Sequence, residues 1–283
     1  MIATPQDRPL NPGASGFGLP YFALGLVAVG ILNLVSSDFA RHWQPLPAWL
    51  PGHAALAGVS GLVLLACGVA LLSKRATAIA SRVLFGYLLL WFALLRVPPV
   101  LRAPLIEVNW ESLGEIAVLT AAGWVLYAEL GGESGAWNRV LPSGERGVRL
   151  ARWLFGAALL PIGLSHFFYL KETISLVPSW MPGRAGWVYF CGAAHIAAGL
   201  AVLAATLPRL AATLEAVMIT GFTLLVWVPA LFTAPTDPAR LAEALDSWII
   251  GAGAWVVADS YRGAPWLSRG GLEPRTSSVT PAR

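Results

Sequence analysis

Charge is scarce in this sequence. Only 12% of its 283 residues are charged, against 57% hydrophobic, and its mean hydropathy is +0.66. That charged fraction is about half the share in an ordinary soluble domain, and excludes a water-exposed globular surface. Cysteine is also scarce. Cys67 and Cys191 lie inside apolar runs, without a partner at zinc or redox spacing, which argues against a disulfide framework and a paired-cysteine centre. No phosphate loop, dinucleotide fingerprint or Ser-His-Asp pattern is present, so no reaction can be assigned and no metal ligand set is expected. A cleavable leader is not expected either. The first apolar run follows a polar lead of about 18 residues and carries no small-residue cleavage pattern.

What is present is a series of long apolar runs. A helix needs about 20 mostly apolar residues to cross roughly 30 Å of hydrocarbon. Eight stretches qualify, near 19–36, 54–72, 78–97, 113–130, 151–169, 186–205, 211–232 and 246–261. They are continuous rather than alternating, which excludes a β-barrel. The expected fold class is an all-α integral membrane protein, with eight transmembrane helices as two parallel four-helix repeats. The expected organisation is a cytoplasmic segment 1–18, a first membrane unit 19–130, a cytoplasmic linker 131–150, a second membrane unit 151–261 and a disordered cytoplasmic tail 262–283. With eight spans, 13 of the 19 Lys and Arg residues fall on the side of the termini. The positive-inside rule then predicts an inner (plasma) membrane protein with both ends cytoplasmic. The basic residues are scattered and form no stripe with interleaved aromatics. Lipid is therefore the expected partner, with a membrane or redox protein as a further candidate, and nucleic acid is not expected.

A repeat is legible at an offset of 131 residues, which lays Leu46–Ala128 on Val177–Asp259 without a gap. Pro47, Trp49, Pro51 and Gly52 meet Pro178, Trp180, Pro182 and Gly183. Gly61 and Gly68 meet Gly192 and Gly199, Pro98 meets Pro229, and Trp124 meets Trp255. Hydrophobic composition would align leucines by chance, but not these prolines, glycines and tryptophans together. Four spans per unit give both units the same orientation in the membrane. The Pro-x-Trp-x-Pro-Gly segment reads as an interfacial turn, and glycines seven residues apart share a helix face that permits close packing.

The segment "GLSHFFYLKETISLVPSWMPGRAGWVYFCGAAHIAAGLAVL", residues 163–203, resembles the DoxX-like family of four-helix membrane proteins, here as a tandem duplication. The family pattern is a Gly-x-x-His-Phe end to the first helix, a Pro-x-x-x-Pro turn and a glycine-spaced second helix. His195 departs from it, because the family often has Glu there, and the first unit has Leu64. The resemblance implies an accessory or quinone-interacting subunit of a membrane oxidoreductase, with quinone as the candidate cofactor. The alternatives are a small-molecule or lipid transporter, against which the spans offer no obvious unwound segment, and a structural membrane partner without its own site.

Ionisable groups inside a bilayer are costly, which makes each a site candidate. His166 and His195 fall on neighbouring antiparallel helices, with Glu172 and Arg184 near them in sequence. The expected site is therefore in the outer half of the second unit, since Asn33 and Leu64 replace the histidines in the first. On that reading His195→Leu should mimic the first unit and leave stability almost unchanged. Glu115 and Asp246 are equivalent in the repeat and are expected in the first turns of helices 4 and 8, where the helix dipole favours a carboxylate. Arg96, flanked by apolar residues, needs a partner; Glu115 and the outer headgroups are the two candidates.

Overall fold

The computed structural model describes residues 16–40, 43–131, 141–233 and 237–268. Among them are eight helices long and apolar enough to cross a membrane: α1 (Gly18–Ser36), α2 (His53–Leu71), α3 (Thr77–Arg102), α4 (Glu107–Leu130), α5 (Gly144–Phe168), α7 (Arg184–Leu203), α8 (Pro208–Thr233) and α9 (Pro238–Ser260). A short α6 (Leu170–Leu176) lies between α5 and α7. The chain is an all-α, multi-pass membrane protein. Below, the proximal face is the one where α1 begins and α9 ends, and the distal face is its opposite.

Several helices outrun the apolar runs that announce them. α3 continues to Arg102, α4 starts at Glu107 rather than near 113, α5 at Gly144 rather than 151, and α9 at Pro238 rather than near 246. An apolar window stops at the first charges, whereas backbone hydrogen bonding continues into the polar headgroup layer. The expected linker thus contributes its last residues to α5, and residues 132–140 lie outside the described set. The expected tail also begins with structure. Leu207 N–H donates to the Ser268 carbonyl at 2.9 Å, Arg209 Nη1 donates to the Ala264 carbonyl at 2.8 Å, and the Arg209 guanidinium lies 4.0 Å over the Trp266 ring. Residues 269–283, where the remainder of that expectation falls, are outside the described set.

The two halves match element by element. α2, α3 and α4 begin at 53, 77 and 107, and α7, α8 and α9 begin 131 residues later at 184, 208 and 238. Each of the third spans contains a π-helical turn, Phe92–Arg96 in α3 and Thr223–Trp227 in α8. The bonds Val97 N–H to Phe92 O and Val228 N–H to Thr223 O carry these turns. Pro98 and Pro229 follow immediately. Without an N–H, and with a ring that crowds the carbonyl four residues back, proline favours this wider turn. Gly52 and Gly183 cap α2 and α7 in the left-handed region, φ +73° and +64°, where a side chain would be strained. The turn tryptophans Trp49 and Trp180 are 80% and 68% exposed, as suits an interfacial anchor.

Helix neighbours are unchanged when the halves are exchanged. α1 packs on α2 as α5 does on α7, α3 on α4 as α8 on α9, and α4 on α5 as α9 on α1. α4 and α9 meet at the centre. α4 is correspondingly the most buried span, 72% of its apolar window, and α8 the least at 17%. Glycines set the closest approaches. A Cβ on Gly30 or Gly61 would lie 2.7 or 2.8 Å from the other's carbonyl oxygen, and on Gly199 2.6 Å from that of Gly156.

Candidate functional site

Gly163 and Gly192 bring α5 and α7 together near the distal face. A Cβ on Gly192 would lie 2.8 Å from His166 Cβ, and one on Gly163 3.0 Å from His195 Cβ. The glycines therefore set the histidines side by side, with ring centroids 5.1 Å apart. His166 Nδ1 is 2.9 Å from the Ile162 carbonyl oxygen, one turn back on its own helix.

Behind His166 stands a residue that the sequence reading passed over. His195 Nδ1 lies 2.6 Å from Glu215 Oε1 of α8, with both side chains almost wholly buried, at 2% and 1% exposure. His195 is eight residues before the end of α7 and Glu215 seven after the start of α8. Each is about 11–12 Å from the shared turn at 1.5 Å per residue. Glu215 is the one acidic residue between 211 and 232. The rule that marks the histidines as costly in a bilayer applies equally to it. His195 Nε2 and Glu215 Oε2 are buried without a hydrogen-bond partner among the described residues.

In front of His166 is a cavity of ≈ 340 Å³ between α5, α7, α8 and the α6–α7 loop. His166 is its one ionisable wall residue apart from the Cys191 thiol; Val188, Met218, Phe222, Leu225 and Trp227 are among the apolar ones. Leu225, Phe190 and Trp187, all lining, are also exposed. The volume falls at the lower end of the range for small-molecule pockets, about 300–1,000 Å³.

The first half is built differently at the same place. Asn33, two residues off the common register, takes the position of His166; Leu64, Leu84, Ser60 and Tyr87 stand for His195, Glu215, Cys191 and Met218. Here the α1–α2 loop turns inward and buries Trp43 and Gln44. Asn33 Nδ2 donates to Gln44 Oε1 at 3.2 Å, Gln44 Nε2 donates to Ser60 Oγ at 3.0 Å and to the Tyr87 hydroxyl, and Ser60 Oγ and Tyr87 OH are 2.6 Å apart. The chain fills this space with its own amide. In the second half the corresponding loop forms α6, none of whose residues is buried.

The other sequence candidates lie elsewhere. Glu172 and Arg184 are exposed. Glu172 borders a separate cavity of ≈ 270 Å³, with Val108, Glu111 and Tyr169, and neither residue joins the histidines. Glu115 and Asp246 are eight residues inside α4 and α9, not in their first turns. The dipole explanation therefore fails for both, because that effect fades within one turn. The Arg96 guanidinium, at the end of the α3 π-turn, interacts electrostatically with both Glu115 of α4 and Asp246 of α9. Among the described residues no group of three or more His, Cys, Asp or Glu is placed to hold a metal ion.

A family model described as "Domain of unknown function (DUF8561)" matches residues 155–254, from within α5 into α9. No curated protein and no solved structure matches the chain.

Proposed function

We propose that this chain holds a lipid-soluble small molecule of the quinone class in the cavity beside His166, and that it serves as a quinone-interacting or accessory subunit of a membrane oxidoreductase, as its DoxX-like resemblance implies. The observation that carries the reading is the asymmetry of the halves. The first closes its space with Gln44, while the second leaves an apolar cavity with one imidazole in its wall and exposed residues at its mouth. An apolar body entering from the hydrocarbon loses no hydration there, and the imidazole orients its polar head. The DUF8561 match includes His166, His195 and Glu215. We place the protein in an inner membrane with both termini cytoplasmic, on the distribution of Lys and Arg; an active alkaline phosphatase fused to the C-terminus would overturn this.

The test is saturable thermal stabilisation in nanodiscs by decylbenzoquinone or its reduced form, decylhydroquinone, a shift with either form counting as binding, since a ligand that binds only the folded state raises Tm. Gly221 lines the cavity, and a Cβ added there meets open space. Gly221→Leu should therefore fill the cavity without a backbone clash and abolish the shift. No shift in the native chain, or an equal shift in Gly221→Leu, refutes the proposal. A transporter or lipid-handling role is a second reading, favoured by the matched π-turns, which are frequent at functional sites. Substrate flux in proteoliposomes would support it.

A further inference from the structure

The hydrogen bonding of His166 says which form of ligand the cavity accepts. A carbonyl oxygen has no hydrogen to give. The 2.9 Å contact from His166 Nδ1 to the Ile162 carbonyl therefore requires the proton on Nδ1. A neutral imidazole with Nδ1–H has only a lone pair on Nε2. We infer that the cavity selects a ligand that donates a hydrogen bond, a phenol- or alcohol-type hydroxyl on an apolar body, over the corresponding carbonyl or ether; for the quinone class this is the reduced, hydroquinone form. The inference rests on the cavity being a ligand site, as proposed above.

The contrast with the first half supports this polarity. There Asn33, at the corresponding place, donates its amide N–H to the Gln44 carbonyl oxygen, and the occupant is an acceptor at that point. His166 has spent its N–H on its own helix and reverses the requirement. The rest of the cavity wall is largely apolar and several of its donors are weak or already engaged: Thr173 Oγ1 donates to the Tyr169 carbonyl, Trp187 Nε1 to the Pro182 carbonyl, Met218 replaces the Tyr87 hydroxyl, and the Cys191 thiol, a weak donor, replaces the Ser60 hydroxyl. The His195–Glu215 pair lies behind His166 rather than in the cavity wall, so the ligand meets the single imidazole. Only hydrogen bonding is inferred; no electron or proton transfer is needed.

The experiment compares 4-nonylphenol with its methyl ether, 4-nonylanisole, and with decylbenzoquinone, on the full chain in nanodiscs. The phenol should bind about tenfold or more tightly than the ether, the scale of one unpaired polar group, and His166→Phe should remove the difference. Histidine nitrogen-15 NMR on the native chain gives a second readout. His166 should show Nδ1–H with an unprotonated Nε2, whose resonance moves on adding phenol and not on adding ether. If phenol and ether bind equally and Gly221→Leu blocks both, the cavity is a site but the donor preference is wrong. Tighter binding of the quinone than of the phenol, or an Nε2–H tautomer, also overturns the inference. If no probe binds, the proposed function falls with it.

Discussion

His195 and Glu215 are each costly in a bilayer core and tolerable together, because each supplies the other's hydrogen bond. Breaking a buried pair from one side leaves an unsatisfied group, at a cost of about 3–5 kcal/mol, whereas replacing both partners with packed apolar residues is often neutral. The first half has already made that exchange, with Leu64 and Leu84 at these positions, both fully buried. His195→Leu alone is therefore expected to lower Tm markedly, against the sequence-based expectation of near-neutrality, because it strands Glu215. His195→Leu with Glu215→Leu should recover most of the loss. Thermal unfolding of the two single variants and the double variant in detergent measures the coupling; additive losses would mean that the residues act independently. The histidines were legible in the sequence as intramembrane ionisable groups. Glu215 was legible on the same ground but was passed over; its pairing with His195 was not legible, because the distance between them is set by the α7–α8 turn rather than by sequence spacing within a helix.

At the scale of the helix, glycine decides which surfaces can meet. A side chain at Gly199 would press on the Gly156 carbonyl oxygen at 2.6 Å, backbone that cannot rotate away, while one at Gly58 or Gly186 meets nothing within 4 Å. Gly199→Val should destabilise by about 1–3 kcal/mol or more through overpacking, while Gly186→Ala should change Tm little. Similar Tm values for the two variants would show that α5 and α7 can separate without cost. The seven-residue glycine spacing and the Pro-x-Trp-x-Pro-Gly turns made this much readable from sequence, since both are local backbone requirements. The π-turns were not readable. Val-Pro at 97–98 and 228–229 marks a disturbed helix, but does not say whether the chain unwinds, kinks or widens by one residue. The helix ends at 102, 107, 144 and 238 were also hidden, because charge ends an apolar window without ending a helix.

At the scale of the whole molecule, the two halves are joined by much more than the 131–143 segment. α4 packs on α5 and α9 on α1, and α4 meets α9 at the centre. A Cβ on Gly114 of α4 would lie 2.7 Å from the Ala158 carbonyl oxygen of α5. Gly18 N–H donates to Asp259 Oδ2 at 2.7 Å, Arg152 of α5 interacts electrostatically with Glu129 of α4, and Arg96 of the first half faces Asp246 of the second. At the proximal end the Arg152 guanidinium also covers the Tyr261 ring at 3.8 Å. Close packing of small residues, rather than loop connection, should therefore hold the halves together. Residues 1–136 and 137–283, co-expressed as separate chains with a tag on one, should copurify and retain a single thermal transition. Each expressed alone should be degraded, because α4 and α9 would be left without their partners. Gly114→Leu should greatly reduce copurification by forcing α4 off α5, and Gly58→Leu should not. Failure of the halves to copurify, or indifference to Gly114→Leu, would mean that the covalent linker, not the α4–α5 and α9–α1 contacts, keeps the bundle whole.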